Sequence, residues 1–140
     1  MYTCDFQQRI RYGETDQMGY VYYGRYAEFY EIGRTEMIRA LGMTYRDLEN
    51  RGIMLPVVKL VSKYYRPASY DELITIRTVL RTLPTAKITF YHEIFNEAGL
   101  LINEAEVHLV FTSSTTRKPT RPPKDLMDAL EPFFPGPTKT

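Results

Sequence analysis

Polar and apolar positions change their period along the chain, and each change predicts an element. Residues 5–13 alternate, with Phe6, Gln8, Ile10 and Tyr12 on one side, and predict a first strand. Glu14 to Gly19 is polar and ends in glycine, which predicts a turn. From Gly24 to Leu41 the spacing becomes three and four. Tyr26, Phe29, Tyr30, Gly33, Met37, Ala40 and Leu41 then fall on one helical stripe, with Gly42 placed to close it. Thr44 followed by Asp47 predicts a short capped helix over Tyr45–Asn50. Four strand-like runs come next, at residues 54–66, 72–82, 86–96 and 100–113. Their inward sets are Ile74, Ile76 and Leu80, then Ile88, Phe90, His92 and Ile94, then Leu101, Ala105, Val107, Leu109 and Phe111. Asn96 to Gly99 and Leu83 to Thr85 supply hairpin connections.

One apolar-striped helix and several long runs joined by short turns predict a long antiparallel sheet curled around that helix, an α+β arrangement. Several strands carry apolar residues on their second face: Leu55, Val57 and Val61, Val79, Phe95, Ile102 and Val110. A fully wetted outer face does not need them, so they predict an oligomer that covers part of the sheet. After residue 115 comes a basic, proline-rich loop and then a short helix around Lys124–Leu130. No repeat or linker divides the chain, so residues 1–140 are expected to form one domain, with its core at about 5–115.

Composition narrows the function classes. The net charge is +1, so no general field recruits nucleic acid or an anionic membrane. Cys4 is the only cysteine, which removes internal disulfides and cysteine-based metal sites and predicts a free thiol in a reducing compartment. The N-terminus has no signal-peptide pattern, and no apolar run approaches the ~18 residues of a membrane span. A cytoplasmic protein without a membrane span is the expectation. Tyrosine is abundant, 12 residues with no tryptophan, as suits half-wet pockets and subunit interfaces.

Elimination then directs attention to carboxylate chemistry. The only histidines, His92 and His108, lie inside strand patterns, and no nucleophile elbow, Walker loop or dinucleotide fingerprint occurs. No metal site is expected. Asp16 lies in the loop before the long helix, and that helix opens at Tyr23–Gly24 with free backbone N–H groups. Such donors can hold the oxygen of a thioester as it becomes an oxyanion, while a carboxylate opposite attacks the carbonyl or deprotonates water. Seen alone, Asp16 reads equally well as a turn-forming residue. Tyr20, Tyr22, Tyr23 and Tyr26 can line an acyl pocket, although a packed helix stripe accounts better for Tyr26. Glu31 and Arg34 read as a helix-surface pair. Lys63, Arg66, Arg117, Lys118, Arg121 and Lys124 can meet an anionic nucleotide group or simply form a solvated basic loop.

The run Arg11-Tyr12-Gly13-Glu14-Thr15-Asp16-Gln17-Met18-Gly19-Tyr20-Val21-Tyr22-Tyr23, with Tyr26, Glu31 and Arg34 beyond it, resembles the signature of hotdog-fold acyl-CoA thioesterases. The branch it resembles is the 4-hydroxybenzoyl-CoA thioesterase type. Tyr65-Arg66-Pro67-Ala68 and Tyr70-Asp71-Glu72-Leu73 extend the likeness over about residues 5–115. The resemblance implies hydrolysis of an acyl-CoA substrate to acid and free CoA, with no cofactor. It also implies homodimers paired sheet edge to sheet edge, often assembled into homotetramers, with active sites at the dimer interface. Asp16 falls at the catalytic position, and Tyr23 and Gly24 at the helix start that polarises the carbonyl. Tyr22 and Glu31 are carried as substrate-binding candidates, and Lys63, Arg66, Arg117 and Lys118 as CoA-binding ones. Many relatives have histidine where this chain has Tyr23, so a role that needs an imidazole is closed here while a backbone donor survives. A non-catalytic acyl-CoA binding or sensing module and a hotdog dehydratase are the alternatives. The dehydratase would need a histidine near the helix start.

Overall fold

The structure, a computed structural model, describes residues 1–136. Strand β1 (Tyr2–Arg9) leads through a 3-10 turn at Tyr12–Glu14 and a loop to a second 3-10 turn at Tyr23–Arg25, which runs straight into α1 (Tyr26–Ala40). A short α2 (Tyr45–Asn50) is closed by the expected reciprocal Thr44–Asp47 cap. Then come β2 (Ile53–Met54), β3 (Val57–Tyr64), β4 (Leu73–Leu80), β5 (Lys87–Phe95), β6 (Leu101–Val110), β7 (Thr112–Ser113) and α3 (Lys124–Leu130). The main sheet has the order β1-β4-β5-β6-β3 with every neighbouring pair antiparallel, and β2 pairs with β7 as a separate ribbon. The single run expected over 54–66 is therefore two strands. Pro56 lies between them, where it cannot donate to a ladder.

Helix α1 lies against β4, β1 and β5. Its stripe buries Tyr26, Phe29, Tyr30, Met37 and Ile38 on Ile74, Ile76, Ile88, Phe90 and Ile94. Gly33 sets how closely the helix sits, because a Cβ there would lie 2.3 Å from Thr78 Oγ1. Tyr30 fastens the seam further. Its hydroxyl donates to Asn103 Oδ1 and shares a 2.6 Å bond with Ser62 Oγ, while Asn103 Nδ2 donates to the Lys63 carbonyl at 3.0 Å.

The structure corrects two expectations about the sheet. Ile102, placed on the outer face by strict alternation, is fully buried. The register slips between Ile94 and Phe95, which pair with Asn103 and Leu101, so a bulge turns Ile102 into the core. The outer face is also more charged than expected. Asp5, Arg77, Glu93, Glu104 and Lys63 stand side by side across the five strands, and Arg77 binds Asp5 through two contacts of 2.9 and 3.1 Å. Exposed apolar surface gathers instead along the edge strand β3. On its inner face Leu60 stays 45% exposed and Val58 59% exposed.

Candidate active site

The loop from Glu14 to Tyr22 folds back on itself like a small hairpin. Tyr22 N–H donates to Glu14 O at 3.2 Å, Asp16 N–H donates to Tyr20 O at 2.7 Å, and Thr15 bridges Val21. Its far side is sewn to residues 68–70, with Val21 N–H on Ala68 O at 2.8 Å and Tyr70 N–H on Gly19 O at 3.0 Å. Gly19 turns the loop at φ 80°, a conformation costly for any residue with a Cβ.

Asp16 sits at the exposed tip of this hairpin. Its Oδ1 accepts from the backbone N–H groups of Met18 (2.9 Å) and Tyr20 (3.3 Å), so the turn-forming role is real. It accounts for only one oxygen. Oδ2 has no protein partner among the described residues and is free to act on a bound molecule. One oxygen of the carboxylate is thus held by the turn and the other is left unpaired.

Beyond Tyr22 the chain enters the 3-10 turn with an extended residue and no side-chain cap. Arg25 N–H already bonds Tyr22 O at 2.9 Å. The N–H groups of Tyr23 and Gly24 have no acceptor among the described residues, so two donors point out at the positive end of the helix. Gly24 makes room here: a Cβ would meet Tyr22 Cε1 at 2.7 Å. Tyr64 of β3 donates its hydroxyl to Tyr23 O at 3.3 Å, which ties the helix start to the end of the edge strand. Its ring meets Tyr26 edge-on at 5.1 Å, and burial, followed by the nearby Tyr64, raises the Tyr26 phenol to about 12. Tyr26 is therefore core, as its place in the stripe suggests. Tyr20, Tyr22 and Tyr23 are exposed.

Other candidates fare unequally. Glu31 is exposed two helical turns beyond Gly24 on the same face. It forms no ion pair with Arg34, which is buried rather than lying on the helix surface. The four basic candidates do not form one patch within the chain. Lys63 and Arg66 lie at the Tyr64 end of β3, whereas Arg117 is beside Met54, with Nη1 3.9 Å from its sulfur, and Lys118 follows it at the opposite end. One β3 length, roughly 25 Å, separates the two pairs. His92 is sealed in the core under Tyr30, and burial, helped by Arg34, lowers it to about 3. His108 contacts Thr89 and Glu106. Neither histidine meets the helix start.

Glu14 was not anticipated. This carboxylate is buried, and its Oε1 accepts from Arg11 N–H at 2.7 Å, holding the neck of the Asp16 hairpin. Its only trace in the sequence is the Arg11-x-x-Glu14 spacing, one shared by many surface pairs. Among the described residues, no group of three or more His, Cys, Asp or Glu side chains is placed to hold a metal ion.

A profile of the Thioesterase-like superfamily matches residues 10–130. The chain belongs to this family. It is 34% identical over 119 residues to the acyl-CoA thioester hydrolase YbgC of Escherichia coli O6:H1, an alignment covering 85% of this chain and 89% of that protein. Its fold overlays the DHNA-CoA thioesterase of Staphylococcus aureus with a TM-score of 0.82 at 32% identity, covering 96% of this chain and 85% of the other. It also overlays the 4-hydroxybenzoyl CoA thioesterase of Pseudomonas sp. strain CBS-3 with a TM-score of 0.80, covering 91% and 98% of the two chains. At 24% identity that match speaks for the fold alone. The expected α+β hotdog architecture is thereby established.

Proposed function

We propose that this protein is an acyl-CoA thioesterase in which Asp16 and the Tyr23–Gly24 amides are the reacting centre. The observation that carries this reading is a half-free carboxylate and two unpaired amides carried by one short loop and the helix start it leads into, in a chain of this family. The thioester oxygen lies on the two amides, which take up the negative charge as the carbonyl carbon becomes tetrahedral. Asp16 Oδ2 then acts in one of two ways. It attacks the carbon, expels the CoA thiolate and leaves a mixed anhydride that water cleaves, or it accepts a proton from the water that attacks. Both routes yield the free acid and CoA and need no cofactor. Single-turnover hydrolysis in oxygen-18 water separates them, because only the anhydride route can place the label in Asp16.

The working unit is a homodimer, alone or as half of a homotetramer. Strand β3 has an unpaired edge flanked by exposed Val58, Leu60 and Val61, and two-fold pairing of this edge with a second copy runs antiparallel. The same operation brings Arg117 and Lys118 of the partner subunit toward the Tyr64 end of β3, near Lys63, Arg66 and Tyr23. The divided basic residues then become one CoA-binding surface across the interface, with Tyr22 and Glu31 beside it. Among the described residues no helix is long and apolar enough to cross a membrane, and the single free cysteine suits a reducing cytoplasm.

The experiment is release of free thiol from a panel of acyl-CoAs. Asp16→Asn keeps the Oδ1 acceptor, and so the loop, but is expected to lose at least ~100-fold in turnover. Unchanged turnover in this variant removes Asp16 from the chemistry. Binding of acyl-CoA by the unaltered protein without thiol release would favour a sensing module instead. A dehydratase reading finds no histidine at the helix start.

A further inference from the structure

Arg34 is a buried cation without a counter-ion. The residue is 7% exposed, yet its Nε–H has no acceptor and no ion pair reaches its guanidinium among the described residues. Buried charges are ordinarily paired, because removing them from water is costly. The hydroxyl of Tyr45 is likewise buried and unpaired. Burial raises this phenol, and the adjacent Arg34 charge opposes the rise, so the two groups are neighbours even though no well-aligned bond joins them. An arginine can only donate, and although the Tyr45 hydroxyl can accept from it, a neutral hydroxyl does not balance its charge. The positive charge therefore still calls for an anion.

Both groups line a cavity of about 660 Å³, whose wall is otherwise largely apolar and includes Leu48, Ile53, Leu55 and Leu109. Apolar walls with a few convergent polar groups are the usual composition of small-molecule sites. The cavity also lies in line with the proposed reacting centre. Gly24, Glu31 and Thr35 share one face of the helix, with exposed Ala27 between them and Arg34 beside them. Gly24 and Arg34 are roughly 15 Å apart along the axis, and helical side chains lean back toward the N-terminus. An acyl group held with its thioester at Gly24 and running along this face would extend toward the cavity.

We infer that this cavity holds the far end of the acyl group and that the preferred acyl group ends in a carboxylate. This rests on the thioesterase reading and adds the substrate class. Glu31 and Glu49 also line the cavity and oppose an anion, but both are exposed and largely screened by salt. Arg34 acts from a buried position, where a charge-assisted hydrogen bond is about twice as strong as a neutral one. The guanidinium therefore decides the sign. An alkyl or a hydroxyl end would leave the charge uncompensated.

The test compares kcat/KM for adipyl-CoA and hexanoyl-CoA, which share six acyl carbons and differ at the terminus. The unaltered protein is expected to prefer adipyl-CoA by about tenfold or more, Tyr45→Phe to narrow the ratio and Arg34→Met to reverse it. A preference for hexanoyl-CoA that neither substitution moves would overturn the inference. In parallel, free adipate should raise the melting temperature of the unaltered protein, and less so that of Tyr45→Phe. This arm reads the subsite without turnover and does not require Arg34→Met to fold. If neither thioester is hydrolysed but adipate still protects, the subsite stands and the reaction assignment falls. If hydrolysis proceeds and adipate protects no better than acetate, the subsite falls alone.

Discussion

The two ends of one helical segment are built on opposite terms. Around Gly33 the helix is pressed onto β4 until no side chain fits, Tyr30 is bonded to two other elements, and His92 is stacked beneath. At Tyr23–Gly24, a few turns earlier, the backbone is exposed, uncapped and short of acceptors. The first region spends every donor on the fold, and the second keeps two in reserve. The contrast teaches that the open end can stay open because the middle is closed. Packing holds the helix in place, so its start needs no cap, and the donors that a cap would consume remain for a substrate.

This comparison is broken most severely at Gly33. Gly33→Val places methyl groups where Thr78 Oγ1, Ile76 Cγ2 and His92 Nδ1 already lie at 2.3, 3.0 and 3.3 Å from a mere Cβ, and should cost about 3 kcal/mol or more in urea unfolding. Acid should strain the same seam. With its ordinary value of 6.5 lowered to about 3, His92 stays neutral in the fold while the unfolded chain takes up a proton. Stability is then full above about pH 6.5 and falls as the pH drops toward 3, by on the order of a few kcal/mol. His92→Gln should flatten that acid limb in unfolding measured from pH 7 to 4, whatever its effect at neutral pH. Tyr30→Phe strips a donor from Asn103 and should cost about 1–2 kcal/mol by thermal unfolding.

At the open end the signature is reversed. Asp16→Asn should leave the melting temperature unchanged while thiol release collapses. Gly24→Ala, whose Cβ would crowd Tyr22 Cε1 at 2.7 Å, only needs that exposed ring to move. It should change stability by less than about 0.5 kcal/mol and turnover by less than about tenfold. A large stability loss in Gly24→Ala would show that the two ends are not separable.

Local patterns carried most of the fold and only the outline of the site. The stripe from Tyr26 to Met37, the Thr44–Asp47 cap, the inward sets of β4 and β5 and the hairpin at Gly99 all depend on neighbours a few residues apart, and spacing reveals such neighbours. Asp16 and the Tyr23–Gly24 start were legible for the same reason, since they share one short loop and a motif that resembles a known family. Ile102 was misplaced because a bulge depends on how two strands slip against each other. Arg34 was read as a surface residue because its burial comes from α2 and the β2–β3 corner folding over it, and Glu14 was passed over because its burial comes from the loop closing around it. Spacing cannot show that Lys63 and Arg66 stand one strand length from Arg117 and Lys118, since that separation arises from the course of β3. The sequence alone thus determined the helix, its glycine-marked start and the carboxylate-bearing turn before it. The tertiary structure alone decided which oxygen of Asp16 is free, which arginine is buried and which edge strand keeps exposed apolar side chains, because each follows from how the chain folds on itself beyond local spacing.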